Sequence, residues 1–312
     1  MNTYLIRLEW PDKCFRVDAE ALRYFRTLVP KGSRIIRAKS ESGFLKSLPK
    51  ATHAVVWDFK REWFALAPSL KLLATPAAGR EFLPTSGPEG VKIHFGSFHG
   101  AIMAETVLAF VLAWSHGFFR KCPLWPRSNL AEHCIDVAGT RALVAGYGKV
   151  GRAIGEKLSG FGIEVYGVTR RGIFSPDGTT AAFTPKRLES LAAKADWLVM
   201  ALPGDTGTDD FLDAELISKL PRRCVVVNVG RGNSVDERAL LKALKQKRLA
   251  GAYLDVFKNE PTVLNAGRRR APGVLAEGKN LPGNLIRMPH ASAFSPSYIK
   301  MCFKELKDEG LI

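Results

Sequence analysis

The hydrophobic pattern of the N-terminal part alternates between strands and helices. Five short apolar runs, bounded by polar or turn residues, have the length and composition of β-strands: residues 4–8, 34–37, 54–57, 71–75 and 91–95. Residues 19–28, between the first two runs, repeat their apolar positions with helical spacing. Strands joined through helices require right-handed crossovers and form a parallel sheet. The pattern therefore predicts an α/β unit.

A second α/β block follows a long apolar helix, which is predicted over residues 101–119 and leads into a connector at 122–130. Helices are also predicted over 152–158 and 237–249. Strand-type runs recur at the spacing of strand–helix units, at residues 142–145, 164–169, 197–202, 225–229, 252–256 and 285–288. This regularity predicts a doubly wound parallel sheet that binds a nucleotide at its strand ends.

The two blocks predict two domains. Residues 295–312 have helical spacing, and we expect this tail to return to the first block. The first domain is therefore predicted to be discontinuous, with residues 1–98 and 295–312. Residues 99–294 are predicted to form the dinucleotide-binding domain.

A glycine-rich turn joins the first strand of the second block to its helix. In TRALVAGYGKVGRAIGEKL, Gly146 permits a tight turn, Gly148 lets the backbone approach a pyrophosphate, and Gly151 lets the helix pack closely on the strand. The N-terminus of the helix then points at the phosphates. The context predicts a dinucleotide site, and the alternative is a glycine-rich turn without a ligand.

The end of the following strand indicates which dinucleotide is bound. In sites for NAD, an acidic residue about 20 positions past the motif binds the ribose 2′-hydroxyl. In this chain the residue at the corresponding position is Thr169, and Arg170 and Arg171 follow it. A hydroxyl and two guanidinium groups suit a 2′-phosphate, which a carboxylate would repel. We therefore expect NADP(H) to be preferred, with NAD(H) possible, unless both arginines are only exposed loop residues.

Three further strand ends deliver charged residues to the same sheet edge. In VVVNVGRGNSVDERALLKAL the strand ends just before Arg231, whose guanidinium suits a carboxylate and has only glycines beside it. In GAYLDVFKNEP the next strand delivers Asp255 and then Glu260, and NLIRMPHAS brings His290. Ligands of open α/β sheets bind at this edge. Each residue alone is more often structural, but the set predicts an active site.

The chemistry of this set is proton transfer beside a fixed positive charge. A carboxylate next to a histidine favours the imidazolium form. The imidazolium donates a proton to a carbonyl oxygen and takes it back in the reverse direction. Because the set adjoins a dinucleotide loop, it predicts hydride transfer between a carbonyl and an alcohol.

The overall charge favours anionic small molecules as partners. The formal net charge is +16, and Lys and Arg are spread along the whole chain. A positive field attracts anions, but no basic segment is interleaved with aromatic residues as a base-stacking surface requires. No apolar run approaches the roughly 18–20 residues that span a bilayer. We therefore expect neither nucleic acid nor a membrane as a partner.

The cysteines bear on location and on metal binding. The 5 cysteines are dispersed, without a C-x-x-C pair, and no metal-ligand cluster is visible. No secretory signal is visible at the N-terminus. These features predict reduced thiols, a cytoplasmic location and no metal, with Cys224 as a core residue.

Several motifs together resemble one protein family. GYGKVG at 146–151, ALPGDTGT at 201–208, NVGRG at 228–232, LDVFKNEP at 254–261 and MPH at 288–290 follow the order found in D-isomer-specific 2-hydroxyacid dehydrogenases. The chain resembles the NADP-preferring branch that includes glyoxylate and hydroxypyruvate reductases. The resemblance implies a Rossmann-type cofactor domain and a flavodoxin-like substrate domain, with the active site in the cleft between them. It also implies reduction of a small 2-oxo acid to a D-2-hydroxy acid.

The resemblance assigns a role to individual residues. It implies that Arg231 binds substrate, that His290 is the acid/base, and that Glu260 pairs with it. In PAAGREF at 76–82, the backbone N–H groups of Ala78 and Gly79 are implied to hold the substrate carboxylate. The cofactor-binding set comprises Gly146, Gly148, Lys149, Val150 and Gly151 around the pyrophosphate, Thr169, Arg170 and Arg171 at the ribose, Leu202, Pro203 and Thr208 on the adenosine side, and Val229, Gly230 and Asp255 towards the nicotinamide.

Some positions depart from the family pattern. Thr169 replaces the usual acidic residue, and the substrate loop has Arg80 and Glu81 where the family has a small or apolar residue and then Asp. Glu260 argues against formate dehydrogenases, which share the fold but pair the histidine with an amide. The alternative function is a non-enzymatic, dinucleotide-sensing corepressor on the same scaffold. Such proteins would be expected to carry added interaction segments at their termini, which this sequence does not show.

Two further expectations concern the substrate pocket and assembly. Trp57, Phe59 and Phe82 are candidate pocket walls, and burial in the core is the alternative. The helix at 101–119 is the expected homodimer element, because the resemblance places the family's dimer contact around it. Its composition is also apolar on more than one face. A fully buried helix within one domain would show the same pattern.

Overall fold

The chain folds into two compact units, Met1–His99 with Phe294–Ile312, and Gly100–Ala293. The computed structural model describes residues 1–80, 82–120, 125–260 and 281–312. Each unit is built on its own β-sheet.

The first unit contains a parallel five-stranded sheet with helices packed against it. Its strands, β1 to β5, are Thr3–Arg7, Arg34–Arg37, His53–Val56, Leu72–Thr75 and Lys92–Phe95, in the order β2-β1-β3-β4-β5. The order is the flavodoxin-like one, with its direction reversing between β1 and β3. The helices are α1, Ala19–Leu28, α2, Glu41–Ser47, and the C-terminal helix Tyr298–Asp308, with 3-10 turns at Lys13–Phe15, Leu48–Lys50 and Arg61–Leu66.

The second unit contains an eight-stranded sheet. Its strands, β6 to β13, are Arg141–Ala145, Glu164–Thr169, Gly172–Phe174, Thr180–Ala181, Trp197–Met200, Val225–Asn228, Gly251–Leu254 and Leu285–Arg287. Its helices, α3 to α8, are His99–Ser115, Ser128–Ala131, Lys149–Ser159, Pro185–Ala192, Ala214–Lys219 and Glu237–Lys245, with 3-10 turns at Thr206–Thr208 and Gly232–Ser234. The strand order is β13-β12-β11-β10-β6-β7-β8-β9.

Buried strands form the middle of this sheet. The WLVM run of β10 and the VVVN run of β11 are fully buried because apolar clusters cover both faces of the sheet. Such continuous apolar runs are typical of parallel strands covered on both faces. The doubly wound α/β fold predicted from the sequence is therefore confirmed.

Two short strands that the sequence did not predict add an antiparallel edge to the second sheet. β8 pairs antiparallel with β7, and β9 pairs antiparallel with β8. A tight turn makes this possible, because the hydroxyl of Thr169 accepts hydrogen bonds from the backbone N–H groups of Arg171 and Gly172. The chain therefore reverses directly instead of crossing over through a helix.

Two helices end earlier than their apolar patterns predict. α3 stops at Ser115, because Gly117 adopts φ +71° and Phe118 N–H donates to Ala113 C=O at 2.9 Å. α8 stops at Lys245, because Lys247 adopts φ +53° and Arg248 N–H donates to Ala243 C=O at 2.8 Å. A left-handed residue followed by such a bond is the usual way a helix is terminated.

The cysteines that the structure describes are free: Cys14, Cys134, Cys224 and Cys302. Cys224 is a core residue, as predicted, and burial raises the pKa of its thiol to about 12. Within the described ranges, no helix is both long and apolar enough to cross a membrane.

Candidate active site

The glycine loop lies where the winding of the second sheet reverses direction. β6 and β10 are neighbours there, with Ala145 paired to Met200, and the loops that follow the two strands run side by side. Gly146 adopts φ +91°, and a Cβ at this position would lie 2.5 Å from the carbonyl oxygen of Ala201. A glycine is therefore required at this turn.

The N-terminus of α5 is open to an anion. Gly148 is the N-cap and makes no side-chain capping hydrogen bond, and the first turn of α5 contains no acidic residue. A Cβ built on Gly148 would have no described atom within 4 Å. The exposed Lys149 adds a positive charge to this turn. These features fit the pyrophosphate of a dinucleotide, since backbone N–H groups and the helix dipole both favour an anion here.

Exposed charges lie beyond the end of β7. Arg170 Nη2 lies 3.5 Å from Asp205 Oδ2, with 80% of the arginine side chain and 43% of the aspartate side chain exposed. Arg171 is exposed as well. Thr169 donates its hydroxyl hydrogen to Gly172 C=O at 3.1 Å, so the hydroxyl is already used by its own turn. Both arginines therefore present an exposed positive charge beyond the end of β7.

A buried asparagine holds the turn that carries Arg231. Asn228 is fully buried, its Oδ1 accepts from Gly230 N–H at 3.0 Å, and its Nδ2 donates to Arg231 C=O at 3.2 Å. Ser234 Oγ donates to the same carbonyl at 2.7 Å. The half-buried guanidinium of Arg231 donates to Gly230 C=O at 3.0 Å. The backbone of Arg231 is therefore fixed from two sides.

A buried aspartate clamps the segment that carries His290. Both carboxylate oxygens of Asp255 accept backbone hydrogen bonds, from Ala291 N–H at 2.7 Å and from Ser292 N–H at 2.9 Å. His290 N–H donates to Asp255 C=O at 2.8 Å. His290 itself adopts φ +54°, a left-handed conformation that costs energy for a side chain of this size. The clamp holds the histidine in this strained conformation.

The structure brings His290 and Glu260 together. His290 Nδ1 lies 2.8 Å from Glu260 Oε2, and 48% of the histidine side chain but only 18% of the glutamate side chain is exposed. The other oxygen, Glu260 Oε1, accepts from Phe257 N–H at 2.6 Å. The carboxylate is therefore oriented by the backbone on one side and accepts Nδ1–H on the other.

The loop after β10 is tied to the arginine turn. Thr208 Oγ1 donates to Pro203 C=O at 2.6 Å, and the hydroxyl is buried inside the loop. Asn233 Nδ2 donates to Asp209 Oδ1 at 2.6 Å. The half-buried Leu202 lies against Gly230, where a Cβ would approach its backbone N and O to 2.6 Å. Loops after β10 and β11 thus share one packed edge.

These loops belong to a chain whose residues 116–278 match the D-isomer specific 2-hydroxyacid dehydrogenase, NAD binding domain. The match covers more than half of the 312 residues. The chain belongs to the D-isomer specific 2-hydroxyacid dehydrogenase family.

The chain is similar to proteins that are named as reductases. The chain is 40% identical to a 2-ketogluconate reductase of Gluconobacter oxydans over 46% of this chain and 45% of the relative. It is 30% identical to a glyoxylate reductase of Thermococcus gammatolerans over 64% of each chain. The chain therefore matches less than two thirds of the length of these relatives. Among solved structures, a D-isomer specific 2-hydroxyacid dehydrogenase from Xanthobacter autotrophicus Py2, in complex with NADPH and MES, has a TM-score of 0.72 at 24% identity, with 99% and 96% of the two chains covered.

The remaining residues that the sequence predicted for the substrate and cofactor sites differ in their exposure. Ala78 is exposed and Gly79 half-buried in the first unit, whereas Glu81 lies outside the described residues. Trp57 and Phe59 are each 5% exposed and pack in aromatic clusters, so the alternative of core burial holds for both. Val229 is 1% exposed and its side chain belongs to the core. Within the described ranges, no group of three or more His, Cys, Asp or Glu side chains is arranged to hold a metal ion.

Sequence reasoning missed three polar residues that support the candidate site: the buried Asn228 and Glu237 and the half-buried Asn233. Asn228 binds the backbone of its own turn, whereas Asn233 and Glu237 bind residues of other loops. The one sequence signal for Asn228 is a polar residue at the end of a buried apolar strand, followed by glycine. The partners of Asn233 and Glu237 lie far away in sequence, and no local pattern indicates them.

Proposed function

We propose that this protein is an oxidoreductase that transfers a hydride between a nicotinamide cofactor and a small 2-oxo acid or D-2-hydroxy acid. The observation that carries the proposal is the pair of His290 Nδ1 and Glu260 Oε2 at 2.8 Å. The pair lies on a sheet edge that also holds the Arg231 turn and the open glycine loop. Acid/base pair, fixed cation and anion-binding loop are the groups that this reaction requires.

His290 is the proposed general acid in reduction and the general base in oxidation. Because Glu260 accepts a hydrogen bond from Nδ1, that nitrogen keeps its proton and Nε2 is the atom that exchanges one. In reduction, the imidazolium donates Nε2–H to the oxygen that becomes the hydroxyl, and Glu260 stabilises the positive charge beforehand. In oxidation, neutral Nε2 takes the hydroxyl proton.

Arg231 is the proposed substrate-binding cation. Its guanidinium is half-buried, so its charge is less screened than that of an exposed arginine. It presents paired N–H donors that suit a carboxylate, and it polarises the neighbouring carbonyl. On the first unit, the backbone N–H groups of Ala78 and Gly79 stay predicted to hold the substrate carboxylate.

The residues of the glycine loop are proposed to hold the cofactor. Gly146, Gly148 and Gly151 shape the turn, and Lys149 and Val150 lie in the first turn of α5. A bound nicotinamide supplies the hydride in reduction and accepts it in oxidation. We also propose that NADP(H) is preferred over NAD(H), because Arg170 and Arg171 are exposed after β7 and no acidic residue ends that strand.

The proposed substrates are glyoxylate and hydroxypyruvate. The Thermococcus relative is named a glyoxylate reductase, and the Gluconobacter relative a 2-ketogluconate reductase. A panel of 2-oxo acids, assayed by loss of reduced-nicotinamide absorbance with NADPH and with NADH, tests the proposal. Turnover of at least one acid is expected, with faster turnover for NADPH. Failure of every acid with both cofactors would refute an oxidoreductase.

We further propose a homodimer built on α3 and the segment after it. Val107, Phe110 and Trp114 of α3 pack on the sheet of their own unit, whereas Ala109 on the same helix is exposed. Large apolar side chains lie exposed just beyond α3: Phe118 at 78%, Trp125 at 67%, Ile135 at 47% and Leu130 at 40%. Exposed apolar side chains of this size, if they form one surface, mark an interface.

Light scattering at micromolar protein concentration tests the assembly. The wild type is expected to have the mass of a dimer, and Phe118→Asp is expected to weaken the association. A monomeric wild type would rule the dimer out.

A further inference from the structure

We propose that Glu237 is a positioning residue, which sets the orientation of Glu260 and through it the imidazole of His290. Glu237 is the first residue of α8 and is only 5% exposed. Its Oε1 accepts a hydrogen bond from Lys258 N–H at 2.8 Å. Lys258 lies in the turn that returns the chain from β12 to Glu260, and this proposal rests on the proposed function of that carboxylate.

Several contacts among the described residues hold this turn. Asn259 adopts φ +55°, so a single left-handed residue reverses the chain just before Glu260. Phe257 N–H donates to Glu260 Oε1 at 2.6 Å, which closes the turn from inside. On the outer side, a Cβ on Gly232 would overlap Phe257 C=O. The turn that carries Arg231 therefore packs directly against the turn that leads to Glu260. At Lys258, the bond from N–H to Glu237 fixes the backbone, and the ion pair of Nζ with Asp210 Oδ1 holds the side chain.

The carboxylate of Glu237 is not needed to cap its own helix. Asp236 already caps α8, because its Oδ1 accepts from Arg238 N–H at 3.0 Å and from Ala239 N–H at 3.1 Å. Burial of a carboxylate is costly unless its oxygens are hydrogen-bonded. One oxygen of Glu237 accepts the backbone N–H of Lys258. Lys258 is distant from Glu237 in sequence but only two residues before the proposed catalytic residue Glu260.

Two substitutions separate the reach of the side chain from its charge. Glu237→Gln keeps an oxygen at the same distance and removes the charge, whereas Glu237→Asp keeps the charge and withdraws the oxygen by one methylene. We expect Glu237→Gln to keep kcat within about threefold of the wild type. We expect Glu237→Asp to lower kcat by about tenfold or more, since a misplacement of a catalytic group by about 1 Å can lower the rate up to about a hundredfold. Glu215→Asp, in the exposed first turn of α7, is the control for shortening an acidic residue at the start of a helix.

A double-mutant cycle tests whether the effect passes through Glu260. Glu237→Asp is expected to cost about tenfold in the wild type and less than about twofold in the Glu260→Gln background, because residues that act as one unit are not additive. The acid/base limb of the kcat/KM pH profile is expected to move in the same direction in Glu237→Asp and in Glu260→Gln. A full additional loss in the Glu260→Gln background would overturn the proposal. The proposal would also be overturned if Glu237→Gln lowered kcat while Glu237→Asp kept the kcat of the wild type.

One readout does not depend on turnover. The imidazole NMR signals of His290, identified by their loss in His290→Asn, can be recorded in the protein without substrate. The Nδ1–H signal is expected to move in Glu237→Asp towards its position in Glu260→Gln, because the hydrogen bond to Glu260 is disturbed, and to stay unchanged in Glu237→Gln. An unchanged signal in Glu237→Asp refutes the positioning role. If no 2-oxo acid is turned over but the signal moves, the proposed function fails while the positioning of Glu260 stands.

Discussion

The Arg231–His290 region and the end of β7 show two ways of presenting charged groups at one sheet edge. In the first, the buried Asn228 and Asp255 bind the backbone of the loops that carry Arg231 and His290, and the carboxylate of Glu260 itself accepts Phe257 N–H. In the second, Arg170 has one ion pair that the structure resolves, with Asp205 at 3.5 Å, and 80% of its side chain is exposed.

The difference has a physical consequence for substitutions. Removal of a buried hydrogen-bonding side chain lowers the free energy of unfolding, because the group it was bound to is left without a hydrogen bond in a region of low dielectric constant. An exposed pair is screened by water and contributes little to stability. Changes in the Arg231–His290 region should therefore spread to several functional side chains, whereas changes at the end of β7 should alter cofactor choice alone.

His290→Asn is expected to have the largest effect. Loss of general acid–base catalysis typically costs about 10²–10⁴-fold in rate. Cofactor affinity should change little, because the glycine loop and α5 are untouched. Steady-state kcat and the cofactor Kd from nicotinamide fluorescence measure the two quantities. A decrease in kcat below about tenfold would contradict the acid–base role.

Asp255→Asn tests the buried clamp. The amide offers one oxygen acceptor, so one of the N–H groups of Ala291 and Ser292 loses its partner. A buried unsatisfied donor costs about 1–3 kcal/mol of unfolding free energy. We expect kcat to fall as well, by about tenfold or more, because the clamp fixes the segment that carries His290.

Asp196→Asn is the matched control for the clamp. Asp196 Oδ2 also accepts a backbone hydrogen bond, from Arg141 N–H at 2.8 Å, but it precedes β10 and lies at the opposite edge of the sheet. Chemical denaturation and kcat measured on both variants separate the effects. Stability should fall in both, and kcat only in Asp255→Asn. An equal kcat in the two variants would show that the clamp is only structural.

Most of the fold could be predicted from the sequence because its strands are apolar runs with clear boundaries. The predicted limits of β2 and β7 match the structure, and the others differ by one or two residues. The hairpin of β8 and β9 was missed, since it depends on a hydroxyl-stabilised turn at Thr169 rather than on an apolar pattern. α2, α6 and α7 were missed because they are short, although each starts at a capping side chain: Ser40, Thr184 and Asp213.

The candidate site could be predicted only in part. Arg231, Glu260 and His290 could be proposed from the sequence because each follows a strand end, and the ends of parallel strands lie together. The contact between Glu260 and His290 is present in the structure, whereas the roles of the three residues stay predictions. Asn228 and Glu237 were not found, because their importance comes from partners that only the folded chain places beside them. Glu237 and Lys258 are 21 residues apart in sequence, and no periodicity relates them.

Glu305→Gln tests a half-buried carboxylate in the first unit, for comparison with the fully buried Asp255 of the clamp. Glu305 accepts hydrogen bonds from Ser97 N–H at 3.0 Å and from His94 Nε2 at 3.1 Å. Burial by itself would raise the pKa of Glu305, but the hydrogen bonds from His94 and Ser97 outweigh it and hold the pKa below its ordinary value of 4.5. The charged form therefore stabilises the fold.

The sign of this effect defines its pH window. A lowered pKa in the folded state contributes stability that is present above the unfolded pKa and is lost as the pH falls through the folded one. Glu305→Gln should therefore lower the unfolding free energy by about 1–2 kcal/mol near pH 7. The difference from the wild type should vanish below the folded pKa. Urea denaturation across this range measures it, and a difference that is independent of pH would contradict the assignment.

Arg170→Ala is expected to have the smallest effect, limited to the cofactor. Because the side chain is 80% exposed, its bond to a 2′-phosphate is partly screened, and we expect about a two- to tenfold loss in kcat/KM for NADPH with NADH almost unchanged. Asp205→Asn is expected to have the opposite effect. It removes the negative charge beside Arg170 but keeps an Oδ1 acceptor for Gly207 N–H. It should improve NADPH relative to NADH, because a negative charge near the 2′-phosphate is lost. Equal changes for both cofactors, in either variant, would mean that these exposed charges do not select between NADP and NAD.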